Sequence, residues 1–197
     1  ELTGHLNFGK DKKNVIAVRA DNSIQPASRW YTGAGIYRHV HLVMTNPVHI
    51  EHWSSFITSS NITKENATVN IQSFVVNKSS ANKAIVFQTD IISPSGKLVA
   101  TAKTKQKVPF SKEANISQKV KITKSGLWDI DDPQLYVAVI KVFVDEKEID
   151  EIQTPFGIRD EEFKEGTGFW LNGKNIKIKG VCMHHDGGAF DSALPLG

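Results

Sequence analysis

The chain has 197 residues, with 40% hydrophobic and 23% charged side chains. That composition belongs to a folded globular protein of one large or two small domains and excludes disorder, collagen and coiled coil. The net charge of +3 is spread without a dense Lys/Arg run, which argues against a nucleic-acid partner. No apolar stretch approaches the ~20 residues of a membrane-spanning helix, so no membrane partner is expected.

The opening Glu1-Leu2-Thr3-Gly4-His5 has neither an initiator Met nor the basic and apolar segments of a signal peptide, and the chain reads as cut from something longer. The single cysteine, Cys182, excludes an intrachain disulfide and a multi-cysteine zinc site but leaves the compartment open. Alternation of period two predicts strands over residues 15–20 and 36–43. Between them runs a long loop containing Arg29 and Trp30 with Pro and Gly punctuation, and long ordered loops are often functional. Asn46-Pro47 closes this region, because proline cannot donate to a ladder and forces extended geometry on the residue before it.

Evenly spaced strands follow, predicted over 48–57, 67–76, 84–92, 97–108, 114–122, 135–144 and 147–153, with Pro94-Ser95-Gly96 and Asp145-Glu146 as tight connections. About seven short strands in about 107 residues match a two-sheet sandwich of immunoglobulin type. Without a disulfide it depends on packing, for which Val69, Ile71, Val75, Ile85, Phe87, Ile91, Val137, Val139 and Phe143 are the candidate core. After Pro155 the texture changes to Phe156-Gly157-Ile158-Arg159, an acidic run with Glu161, Glu162 and Glu165, and an Asn172-Gly173 hairpin signal. The strand after that turn is predicted to run on to His184-His185-Asp186, with Ile176, Ile178, Gly180, Cys182 and His184 on one face. Cys182 then reads as a buried, inert thiol, and Trp128 as packing in the core or at a domain junction.

Trp30 to Leu42, Leu127 to Tyr136, and Phe156 to Arg159 followed by Phe169 to Asp186 together resemble glycoside hydrolase family 2, and within it the β-galactosidase-like members. The resemblance implies a mainly β fold: residues 1–46 as the end of a jelly-roll sugar-binding domain, 47–155 as an immunoglobulin-like β-sandwich, and 156–197 as the start of a (β/α)8 catalytic barrel. It implies a retaining exo-glycosidase acting on terminal β-linked sugars of a glycan, most readily β-galactosides; no cofactor is expected. Both catalytic glutamates then lie deeper in the barrel, beyond residue 197, and residues 1–197 alone are expected to be inactive.

The implied substrate contacts are His184, which faces the sugar from the carboxyl end of a barrel strand, with His185 and Asp186 either orienting it or satisfying the loop backbone. Arg29 and Trp30 are further candidates for sugar contact, with interdomain packing as their other reading. A family acidic residue two positions before this tryptophan is replaced here by Ser28. Adjacent strand residues point to opposite faces, which argues against a metal held by His184 and His185 together. The parent is expected to be periplasmic or secreted, with a homo-oligomer as a possible state. The alternative is a non-enzymatic carbohydrate-binding or adhesion sandwich, which accounts for residues 48–154 but gives no reason for the segment leading to His184-His185-Asp186.

Overall fold

A computed structural model describes residues 1–21, 23–24, 35–36, 38–63 and 65–182. The chain divides into two units, Glu1–Leu42 with Val181–Gly197, and Val43–Gly180. In the first, a 3-10 turn at Thr3–His5, a reciprocal Asn7–Asn14 hydrogen-bond pair at 2.7 and 2.9 Å and an exposed Arg19–Asp21 ion pair are the local ties. The strand predicted over 15–20 does not form a ladder, and no ladder forms among the described residues of 36–43 either. Val15, Ile16, Val18, Val40 and Leu42 are exposed. Alternation supplies an apolar face, but a strand also needs a backbone partner, and none of the described ladders reaches these residues.

The second unit is a β-sandwich. One sheet contains β1 (Val48–Ile50), β2 (Phe56–Ser60), β3 (Asn66–Asn77) and β6 (Lys112–Thr123), with β3 central. The other has the order β5-β4-β7-β8, from β4 (Lys83–Ile92), β5 (Leu98–Val108), β7 (Leu135–Val144) and β8 (Lys147–Gly157). Alternate residues of three strands meet between the sheets: Val69, Ile71 and Val75 from β3, Ile85, Phe87 and Ile91 from β4, and Ile116, Val120 and Ile122 from β6. Gln118 reaches across the sandwich, its Nε2 donating to the Phe87 carbonyl at 3.2 Å and to Thr104 Oγ1 at 3.0 Å.

Three differences from the predicted elements have physical causes. The expected strand 48–57 is broken into β1 and β2, because His52 to Ser55 leave the backbone ladder of β3 after a last bond from the Glu51 N–H to the Phe74 carbonyl. The expected strand 147–153 continues through Pro155 to Gly157. β8 is an edge strand, where a residue without an N–H is tolerated. In β7 the inward set is Tyr136, Ala138, Ile140 and Val142, all buried, and not Val137, Val139 and Phe143. The strand is apolar on both faces except at Lys141. That side chain shares parity with Val137, Val139 and Phe143, and it sits outside, 3.0 Å from both Glu148 and Glu151. The Glu148 and Glu151 carboxylates hold the Lys141 ammonium above its ordinary pKa.

The β7–β8 hairpin turns on Asp145 and Glu146, with φ of 50° and 64°. A two-residue turn with both φ positive is the type I′ geometry that glycine favours at its second position. Glu146→Gly should therefore raise sandwich stability by about 0.5–1 kcal/mol, left-handed strain relieved less the extra freedom glycine has when unfolded. A higher urea midpoint is the expected reading, and a lower one contradicts the assigned turn.

Candidate functional site

Beyond the sandwich the chain forms a small sheet of β9 (Glu161–Lys164), β10 (Gly168–Leu171) and β11 (Lys174–Asn175) in the order β11-β10-β9. The Asn172-Gly173 turn is a hairpin as expected, with φ of 50° and 76° and Leu171 paired to Lys174. Glu161 and Glu162 are exposed on β9 and paired with Arg159 and Lys164 at 3.2 and 3.1 Å, the arrangement of a solvated charge run.

A joint centred on Asn172 and Trp128 fixes this sheet to the sandwich. Asn172 donates its backbone N–H to the Asp160 carbonyl at 2.8 Å, accepts the Asp160 N–H on Oδ1 at 3.0 Å, and donates Nδ2–H to the Trp128 carbonyl at 2.9 Å. Trp128 in turn donates its N–H to the Ile158 carbonyl at 2.8 Å and bridges to Pro133. Its indole lies against Gly157, where a Cβ would stand 2.8 Å from Trp128 Cβ and 2.9 Å from Cγ. The Arg159 guanidinium lies over the Trp128 ring, 5.6 Å from its centroid. Leu127-Trp128, Phe156-Gly157-Ile158-Arg159 and Asn172-Gly173 are far apart in sequence but meet here. Trp128 thus packs where the small sheet meets the sandwich.

Asn172 was legible only as a turn residue. Its side-chain bond to Trp128, 44 residues away, has no local signature. Asn172→Ala should lose these side-chain bonds and also strain a positive φ, costing about 1–3 kcal/mol, whereas Asn172→Gly keeps the φ and should be milder by about 1 kcal/mol. Urea unfolding of the sandwich checks the order Asn, Gly, Ala. Equal stability of all three contradicts the joint.

The five residues expected to contact sugar, Arg29, Trp30, His184, His185 and Asp186, lie outside the described residues. What is described of the approach to His184 differs from the expectation. The ladder ends at Asn175, a last bond runs from the Ile176 N–H to the Phe169 carbonyl at 2.9 Å, and Ile178 and Val181 are exposed. Cys182 is also exposed and not buried as expected, and among the described residues no ladder extends beyond Asn175 to carry it into a sheet. Among the described residues no three His, Cys, Asp or Glu side chains gather as metal ligands would.

A two-sheet sandwich running through Phe-Gly-Ile-Arg into a hairpin locked by an Asn-Gly turn defines the class of protein, a β-sandwich domain joined to a small hairpin sheet. Residues 48–159 match the family model of the Glycosyl hydrolases family 2, and the chain belongs to that family. It is 39% identical over 194 residues to the beta-galactosidase BoGH2A of Bacteroides ovatus, covering 98% of this chain and 23% of that protein. It is 37% identical over 193 residues to a putative beta-glucuronidase of Formosa agariphila, covering 98% of this chain and 18% of that protein. Among solved structures, a family 2 member from Bacteroides cellulosilyticus superposes with a TM-score of 0.77 at 38% identity, over 81% of this chain and 21% of that one. The chain therefore spans about a fifth of the length of the curated relatives it matches.

Proposed function

We propose that the protein containing this chain is a retaining exo-glycosidase that releases terminal β-linked sugars, with β-galactosides as its substrates. Likeness along nearly the whole chain to a β-galactosidase carries this reading. In it, residues 1–46 end a sugar-binding domain, 47–155 form the sandwich, and 156–197 begin a (β/α)8 barrel whose two catalytic carboxyl groups, about 5–5.5 Å apart, come from later barrel strands. The sandwich then serves as scaffold, and the Trp128–Gly157–Asn172 joint fixes the angle at which the barrel segment leaves it.

His184 is assigned to a sugar hydroxyl, with His185 and Asp186 beside it and Arg29 and Trp30 contributing from the N-terminal loop. A hydrogen bond that strengthens as the oxocarbenium-like transition state forms acts on turnover as well as on binding. His184→Ala in the whole protein should therefore lower kcat/KM by roughly 10- to 150-fold, equivalent to ~1.5–3 kcal/mol, with part of the loss in kcat. An unchanged kcat removes His184 from the site. The second reading, a β-glucuronidase, is favoured by the 37% identical relative. Rates on paired aryl β-galactoside and aryl β-glucuronide substrates separate the two.

A further inference from the structure

β1 and β2 lie on the same edge of β3 but in different registers. Val48 faces Asn77, whereas Phe56 faces Gln72, three residues later than the first register would place it. An odd insertion exchanges the two faces of a strand. It turns Ile57 toward the core, against which it packs, and sends Phe56 and Thr58 to the outer surface.

The insertion is held in place. The Ser54 and Ser55 hydroxyls reach the buried Ser73 hydroxyl at 3.3 and 2.9 Å, the Glu51 N–H donates to the Phe74 carbonyl at 2.9 Å, and Trp53 adopts a φ of 58°, a left-handed conformation that bulky residues avoid.

On the outer face this register sets Phe56, Gln72 and Ser117 in one cross-strand row and Thr58, Asn70 and Lys119 in the next. The six line a groove of about 490 Å3, within the range of small-ligand sites. Phe56 is 63% exposed. Asn70 is oriented by its Nδ2–H bond to Ser60 Oγ at 3.0 Å. A sugar ring has an apolar C–H face and a rim of hydroxyls that both donate and accept. The phenyl ring matches the face, and two carboxamides and two hydroxyls match the rim. With strands ~4.8 Å apart, the row from Phe56 to Ser117 spans about 10 Å, roughly two sugar rings.

The groove carries no carboxylate, and its one charge is the Lys119 ammonium at the end opposite Phe56. That fits an acidic sugar there and gives no row of cations for nucleic acid. A single aromatic on polar ground is also unlike the clustered apolar centre of a protein interface.

We propose that this groove is a second glycan-binding site on the sandwich, taking an oligosaccharide whose C–H face stacks on Phe56 and whose acidic end, where present, meets Lys119. It goes beyond the catalytic reading and stands on the groove alone, so loss of either leaves the other intact. The test is a titration of the isotopically labelled 197-residue chain with β-linked galactotetraose and with an oligosaccharide of the same length ending in β-glucuronate, followed by proton–nitrogen correlation spectra.

The expected result is millimolar or tighter binding that shifts the side-chain amide signals of Asn70 and Gln72. Phe56→Ala and Gln72→Ala should each weaken it by about tenfold with the melting temperature unchanged, and Lys119→Ala should remove a preference for the acidic probe. Spectra unmoved by either glycan at ~10 mM, shifts elsewhere on the chain, or shifts at these residues that follow protein concentration without glycan, the sign of a second copy, each overturn it. Equal binding of the two probes overturns the assignment of Lys119.

Discussion

Phe87→Ala should destabilise the sandwich by about 3–5 kcal/mol, the range for emptying a fully packed phenylalanine site. Phe87 is 0% exposed on the interior strand β4, facing Thr104 on β5 and Val142 on β7. Its carbonyl also receives the Gln118 amide from the opposite sheet, so the surrounding strands are tied and have little freedom to collapse into the space. Phe143→Ala is the matched control. It deletes the same side chain from the outer face of β7, where Phe143 is only half-buried, and should cost no more than about 1.5 kcal/mol. Denaturant midpoints at constant m-value measure both. Equal losses would mean that the parity of β7 is wrong and that Val137, Val139 and Phe143 do form the core.

Gly157→Ala should cost about 1–3 kcal/mol by overpacking, although it adds only one methyl group. The new Cβ would meet Trp128 Cβ and Cγ inside 3.0 Å. Neither partner can easily move: Gly157 is paired with Leu135 in the β7–β8 ladder, and Trp128 is held by its N–H bond to the Ile158 carbonyl and by the Asn172 side-chain amide donating to its own carbonyl. The mechanism has its own check. In a Trp128→Gly background both contacting atoms, Cβ and Cγ, are gone, so Gly157→Ala should then add almost nothing, a coupling of about 1–3 kcal/mol between two residues 29 positions apart. Additive losses contradict a steric cause.

These two positions also show what the sequence carried and what it did not. Asn172-Gly173 was readable because a two-residue turn with both φ positive has a composition of its own. The Trp128–Gly157 contact was not, because a glycine required by an indole from another part of the chain looks like any glycine. In β7 the apolar residues occupy both faces, so hydrophobicity alone misassigned the core; Lys141, the one charge in the strand, held the correct parity. The break between β1 and β2 contains no Gly or Pro, and it is made by serines reaching Ser73 in a different strand. Residues 15–20 have the alternation of a strand and no ladder, since pattern does not supply a partner. For the sugar site, residue types and resemblance named Arg29, Trp30, His184, His185 and Asp186, and those five positions fall outside the described residues.

The most direct measurement is the stereochemistry of hydrolysis by the whole protein that contains this chain, followed by proton NMR on an aryl β-galactoside. Release of the sugar first as its β-anomer, converting to the equilibrium mixture only afterwards, is the result a retaining family 2 glycosidase gives. First release of the α-anomer, or no hydrolysis of any aryl β-glycoside, contradicts it.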